Sequence, residues 1–484
     1  MRDVIVVGGG HNGLVTAAYL AKTGLKVTVL ERREVVGGCA VTEEFHPGFR
    51  NSVAAYTVSL LNPKVIADLE LAKHGLTVVE RKLSNFLPLP DGRYLKVGPG
   101  RTKAEVAKFS GRDAERLDAY GDRLDRMADV IRDVVLETPP NVVTGRGLFA
   151  MLGELLSAGK VANRFRRLDL EGQRDLLEIF TRSAGDYLDQ WFESDPIKAI
   201  YGFDGIVGNY SSPYAAGTAY VLLHHCFGEV NGKRGVWGHA LGGMGAISQA
   251  MARAAAAAGA EIRTDTGVRE ILVERGRAVG VVTETGETIR ARMVVSNLHP
   301  KLTFERLIDP GLLPADFRSR IASWRSGSGT FRMNVALSEL PSFTCLPGRD
   351  LAEHHTSGIV VAPSLAYMET AWMDARRTGW AKAPIVEMLI PSTLDPSLAP
   401  AGQHVASLFC QHVAPEIPDG RSWDAVRDEV ADVMIATIDA QAPGFARSVI
   451  ARQIHSPLDL ERKFGLVGGD IFHGALGLDQ MFSA

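Results

Sequence analysis

The sequence predicts an α/β fold in which two domains are interleaved along one chain. Three observations predict it. A β-branched run at residues 4–7 (VIVV) is followed by a glycine-rich turn, a helix-spaced stretch and a second apolar run at 27–30 (VTVL). Residues 101–235 read mostly as helix. Residues 241–297 then return to an Ala-rich helix followed by short strand candidates. Strand, helix and strand within about thirty residues form a βαβ unit, the start of a Rossmann-like nucleotide-binding domain.

Each element has a local reason. Residues 4–7 and 27–30 are continuous apolar runs, as expected of parallel strands buried on both faces. Between them Leu14, Ala17, Ala18 and Ala21 recur at helical spacing, and Gly24 stops that helix. Leu117, Tyr120, Leu124 and Met127 form one amphipathic stripe in the helical stretch, before Pro139-Pro140 breaks the chain. The alanine run at 254–258 is a good helix former and ends at Gly259. Turns at 275–277 and 285–287 separate strand candidates that finish at 293–297 (MVVSN), and 386–390 and 405–410 read as later strands. The nucleotide-binding domain is therefore expected from residues 1–100 and 236–300. A mixed α+β second domain is expected from 101–235 and 301–465, with a final return to the first domain at 466–484.

At 484 residues the chain exceeds what one core usually holds. Its 53 basic and 56 acidic side chains leave a net charge of −3, without the basic footprint of a nucleic-acid binder. Cys39, Cys226, Cys345 and Cys410 include no Cys-x-x-Cys pair, so neither a local redox dithiol nor zinc-type spacing is present. Free thiols, a strand beginning almost at once and no run near the ~18 apolar residues of a membrane span point to a cytoplasmic protein.

Gly8-Gly9-Gly10-His11-Asn12-Gly13 carries the chemistry. A strand precedes it, a helix and a second strand follow, and Glu31 ends that strand 23 positions beyond Gly8. Gly8 permits the tight turn, Gly10 lets the backbone approach a diphosphate, and Gly13 lets the helix pack closely on the strand. The helix start offers unpaired N–H groups and partial positive charge to the diphosphate. Glu31 accepts from ribose hydroxyls and disfavours a 2′-phosphate, which leaves FAD or NAD.

The following residues resolve that choice. Residues 31–40 (ERREVVGGCA) resemble the flavoprotein superfamily that includes amine oxidases and phytoene desaturases, with an acid, then Arg32, then a Gly37-Gly38 pair. Residues 9–18 (GGHNGLVTAA), 41–49 (VTEEFHPGF), 241–250 (LGGMGAISQA), 389–399 (LIPSTLDPSLA) and 468–480 (GGDIFHGALGLDQ) are similar to phytoene desaturase-like dehydrogenases. Among these the chain most resembles the branch called pyridine nucleotide-disulphide oxidoreductase domain-containing protein 2. The resemblance spans nearly the whole chain. It implies a GR2-type flavoprotein fold: a Rossmann-like FAD-binding domain interleaved with a mixed α+β substrate domain. It also implies FAD as cofactor, held by Gly8, Gly10, Asn12, Gly13, Glu31, Arg32, Gly37, Gly38 and Ala40. Val268 takes the place of a valine whose backbone contacts adenine in the family; it also reads as a plain strand valine.

The activity implied is FAD-dependent dehydrogenation or desaturation of a small hydrophobic, lipid- or isoprenoid-like substrate. A base or water takes the proton, and no catalytic residue is singled out. Flavin-assisted double-bond isomerisation and a non-catalytic binding or assembly role are the alternatives. Relatives continue past the 468–480 segment with a strand, a Gly-rich turn and a closing helix, whereas this chain stops at Ala484. Weak retention of FAD is the corresponding expectation. The resemblance places the family's Gly-Asp ribityl motif somewhere other than Gly469-Asp470.

Remaining candidates are weaker. His239 before the 242–245 turn reads as a packed loop histidine or a general base near the flavin, the first being favoured. His404 and His412 share a strand face without a third metal ligand, His224-His225 point apart, and His354-His355 are expected in a polar loop. Residues 49–56 match a family region close to the flavin ring, with Arg50 as the one evident charged group. Residues 146–167 combine basic and apolar side chains. They read as a core helix with a solvated end, or as a helix on a membrane surface, a peripheral contact suited to a lipid-like substrate.

Overall fold

A computed structural model describes residues 2–137 and 168–477, with isolated positions at 159, 162, 163, 165, 166 and 480. Among the described residues two large sheets organise the chain. The first has the strand order Glu261–Arg263, Val27–Leu30, Arg2–Val7, Thr288–Ser296, Arg277–Thr283, Val268–Glu274. Arg2–Val7 runs parallel to both neighbours, pairing Val4 with Val27 and with Met293. Residues 4–7 are buried because helices cover one face and the 268–283 hairpin region covers the other. The helix His11–Lys22 buries Leu14, Ala17, Ala18 and Ala21. It packs beside Met244–Ala257, which buries Ile247, Ala250, Met251, Ala254 and Ala255. Small side chains on both helices let their axes approach closely. Gly24, at φ +86, ends the first of them.

The second sheet has the order Val449–His455, Phe331–Leu337, His404–Val413, Trp380–Leu389, Gly358–Val361, Asn85–Pro88, Tyr94–Val97. Residues 85–97 therefore leave the first domain, where the sequence had placed them, and pair into the second sheet through Gly358 and Ile359. Strand patterning alone does not distinguish one sheet from another. The helices from Gly111–Val134 to Thr218–His225 cover this sheet's near side. Leu117, Tyr120, Leu124 and Met127 all face that core, with Tyr120 against Trp191, Phe192 and Tyr201. Ser110, Asp169 and Ser183 cap their helices through side-chain oxygens. The basic, apolar stretch at 146–167 lies outside the described residues apart from isolated positions such as Phe165 and Arg166. Among the described residues no helix is long and apolar enough to cross a membrane.

The histidines differ from expectation. His354 and His355 are buried, not in a polar loop, because Glu353–Thr356 turns inward and lays His354 on Phe86 and Phe343. His404 and His412 do share one strand, yet no cluster of three metal-ligating side chains exists among the described residues. Burial pushes His354 and His412 down to about 3, and His299 and His455 down to about 4. These groups bind fewer protons folded than unfolded. Their neutral burial is fully tolerated above about pH 6.5 and costs stability as pH falls below it. Urea titrations are expected to show the midpoint dropping from pH 7 to pH 5. His412→Gln should remove about 2 kcal/mol of that drop, ~1.4 kcal/mol per pH unit over the interval below 6.5. An unchanged pH slope in the variant would refute the assignment.

Candidate functional site

The glycine turn opens onto a cleft of about 300 Å³. Gly8 has φ +96, a conformation that favours glycine, and its N–H donates to Leu30 O at 2.9 Å. Gly10 caps the helix His11–Lys22 without a side-chain partner, and no acid occupies the first helical turn. The N–H groups there are left for a ligand. Gly37 returns to this turn: its N–H donates to Gly9 O at 2.8 Å, and Gly10 and Gly37 form a parallel bridge. A Cβ on Gly10 would lie 2.8 Å from Asn297 Nδ2, and one on Gly38 would lie 3.3 Å from Gly10 Cα. The two glycine pairs thus make a floor without side chains. A diphosphate fits this arrangement of bare backbone, helix start and unpaired donors.

Glu31 is buried beside the floor. Its carboxylate accepts from Gly9 N at 2.8 Å and from Arg33 N at 2.9 Å, so it braces the turn as well as facing the cleft. Arg32 also lines the cleft, and its guanidinium donates to the carbonyls of Arg462 and Lys463 at 3.1 and 2.8 Å, closing a helix C-terminus. Val268 starts its strand at the cleft wall. Seven of the ten predicted site residues, namely Gly8, Gly10, Asn12, Glu31, Arg32, Gly38 and Val268, line this one space. Gly13, Gly37 and Ala40 stand behind it. A Cβ on Gly13 would lie 2.2 Å from Gly8 O, and Ala40 O accepts from Ser248 Oγ at 2.8 Å. Asn297, His11, His299 and His473 also line the cleft and were not singled out: His11 and His473 lie inside the 8–13 and 468–480 motifs at positions to which no role was given, and Asn297 and His299 follow a strand end without a motif of its own.

A second space of about 170 Å³ lies within the helical domain and the second sheet. Its walls include Phe203, Val207, Trp237, Phe409 and Phe472. Its ionisable groups are Tyr56, Arg81, Asp204, His225 and Glu387, with neutral polar side chains such as Asn85 beside them. Tyr56 Oη donates to Glu387 Oε2 at 2.6 Å. Arg332, wholly buried, lies 4.3 Å over the Tyr56 ring. Its guanidinium donates to Ala54 O at 3.1 Å, Leu408 O at 2.8 Å and Ser407 Oγ at 2.6 Å. Burial, with Glu387 nearby, pushes the Asp204 carboxyl up to about 8, and burial raises Glu387 too. Consecutive residues line the two spaces: Ile471 and Phe472 face the chamber, and His473 faces the cleft. The sequence did carry a signal for the chamber. Single charges interrupt otherwise apolar runs at Asp204, Arg332 and Glu387.

Two other candidates lie elsewhere. His239 sits in the strand Gly238–Ala240 and borders neither space. Its Nε2 is 3.5 Å from Asp395 Oδ2, and Asp395 accepts Gly242 N–H at 2.6 Å. Burial alone would raise Asp395; the His239 ring beside it and the hydrogen bonds from Ser397 and Gly242 outweigh burial and hold the carboxylate low. The pair therefore anchors the turn ahead of Met244–Ala257. Asp470 is buried against Gly327 N and Phe472 N, at 2.8 Å each, and also lies off the cleft. All four cysteines are free, and burial pushes Cys39, Cys226 and Cys410 up to about 12, away from thiolate chemistry.

Comparison with known proteins places the chain. Residues 13–331 match the flavin containing amine oxidoreductase family. Over its whole length the chain is 39% identical to pyridine nucleotide-disulfide oxidoreductase domain-containing protein 2 of Rattus norvegicus, covering 86% of that protein. It is 26% identical to a limonene dehydrogenase polypeptide of Castellaniella defragrans, over 99% of this chain and 86% of that one. An oxidoreductase from Methanosarcina mazei shares the fold, with a TM-score of 0.56 at 18% identity, over 94% of this chain and 87% of that one. The chain belongs to the flavin containing amine oxidoreductase family and is an FAD-dependent oxidoreductase.

Proposed function

We propose that the protein dehydrogenates a hydrophobic substrate, with FAD along the glycine floor and the substrate in the aromatic chamber. The observation that carries this reading is the run Ile471, Phe472 and His473, whose consecutive residues line an apolar-walled space and the bare-backbone cleft. The cofactor contacts we assign are the N–H groups at Gly10, Asn12 and Gly13 on the diphosphate, Glu31 on ribose, and Gly37, Gly38 and Ala40 shaping the approach. Arg32 closes the helix end beside the cleft, and Val268 stands at the wall for adenine. Bound FAD supplies the hydride acceptor. The chain orients the substrate and excludes water through Phe203, Trp237, Phe409 and Phe472. The likeness to a limonene dehydrogenase polypeptide supports dehydrogenation of an apolar compound.

The test is the flavin-to-protein ratio of purified protein, then anaerobic bleaching of that flavin by candidate substrates with product mass recorded. Bleaching with loss of two hydrogens supports the reading. An unchanged product mass replaces it with isomerisation, and bound flavin that no apolar compound reduces favours a binding role.

A further inference from the structure

We propose that the chamber selects an apolar molecule bearing one oxygen-acceptor head, a carbonyl or a carboxylate, clamped between Arg81 and Asp204. This rests on the chamber being the substrate space. A plain hydrocarbon would explain the walls but not the polar groups. Arg81 is almost wholly buried, and its one side-chain hydrogen bond among the described residues goes to Thr57 Oγ1. No carboxylate among the described residues lies within 4.0 Å of it, although Glu387 lines the same space. Asp204 lines the space from the helix Asp195–Ile206, and its carboxyl has no hydrogen-bond partner among the described residues. Glu387 is engaged by Tyr56. A guanidinium buried with a single side-chain hydrogen bond and a partly buried carboxyl facing the chamber with none leave donors and acceptors to be met, and a ligand oxygen between them would engage both.

The sign of the head follows from protonation. Burial keeps Asp204 protonated up to about pH 8, so it donates, as Arg81 does. Two donors require an acceptor. The groups that face Asp204 are Tyr120 and Tyr201, Cys226 and His225 at the end of Thr218–His225, and Glu387 and Arg81 across the chamber. Burial holds His225 below its ordinary range and raises the two tyrosines, Cys226 and Glu387, the last already engaged by Tyr56; Asp204, pushed up to about 8 and without a hydrogen-bond partner among the described residues, changes charge just above neutrality.

Calorimetric titration of the flavin-loaded protein with octanoate, 2-octanone and octane tests the clamp. At least one of the oxygenated probes is expected to bind about tenfold to a hundredfold more tightly than octane. The tighter of the two identifies the head, and either order supports the clamp. Wild-type affinity should weaken above about pH 8; Asp204→Asn should keep the preference and lose that pH dependence. Arg81→Met should reduce both probes to the level of octane. If Arg81→Met does not fold, the isosteric Asp204→Asn comparison decides alone. Equal binding of all three probes, or an unaltered pH dependence in Asp204→Asn, overturns the proposal. Flavin reduction by a substrate without this preference would overturn the clamp and leave the dehydrogenase reading standing. The preference without any flavin reduction would support the clamp and count against that reading.

Discussion

Gly13→Ala is expected to yield protein that purifies with about tenfold less flavin and unfolds about 1–3 kcal/mol more easily. The added methyl would lie 2.2 Å from Gly8 O and 3.1 Å from Asn297 Nδ2. The nearest obstacle is backbone, so no side-chain rotation relieves it. That backbone is also held on three sides: Gly8 N–H to Leu30 O at 2.9 Å, Gly9 N–H to Glu31 at 2.8 Å, and Gly9 O from Gly37 N–H at 2.8 Å. The helix must therefore move away from the turn, and the N–H groups at its start move with it. Absorbance of the purified protein reports the flavin, and urea denaturation reports stability. Gly121→Ala is the control. Its site in Gly111–Val134 has open space around the new methyl, and about 0.5–1 kcal/mol of stabilisation is expected. A Gly13→Ala protein with full flavin and an unchanged midpoint would remove the packing argument for the turn.

Arg332→Met should be the more damaging substitution, costing about 3–5 kcal/mol. The side chain is 1% exposed and serves Ala54 O, Leu408 O and Ser407 Oγ from one planar group. Met fills similar volume but removes those three hydrogen bonds from a site closed to water. It also removes the positive charge beside Glu387, whose carboxyl burial already pushes up. Arg332→Lys keeps the charge yet cannot reach both the 407–408 strand acceptors and Ala54 O in its loop with one ammonium, so it should recover less than half of the loss. Urea midpoints for the two variants check this, and equal stability of wild type and Arg332→Met would refute it.

The cleft was legible in the sequence because its information is local. Gly8 to Gly13, Glu31 and Gly37-Gly38 lie within one βαβ unit, where a strand, a turn and a helix start have recognisable chemistry. The chamber was not legible in that way. Tyr56 and Glu387, 331 positions apart, meet only once the second sheet and the helical layer are assembled. The charged residues in apolar runs marked burial without naming partners. Residues 85–97 show a related limit, since a strand's pattern records that one face is buried but not against which sheet. His354-His355 misled because the polar residues around them conceal a turn that points into the core.

The pairing of Arg2–Val7 with Thr288–Ser296 sets a condition on synthesis. A ribosome adding ~5–20 residues per second needs roughly 15–60 s to travel from one strand to the other. Throughout that interval a flat, β-branched strand has one hydrogen-bonding edge unpaired, the exposure that invites association with other chains. The glycine turn hangs from that same strand. Any nascent chain halted before residue 288 therefore carries the dinucleotide turn on a sheet missing one side of its central strand.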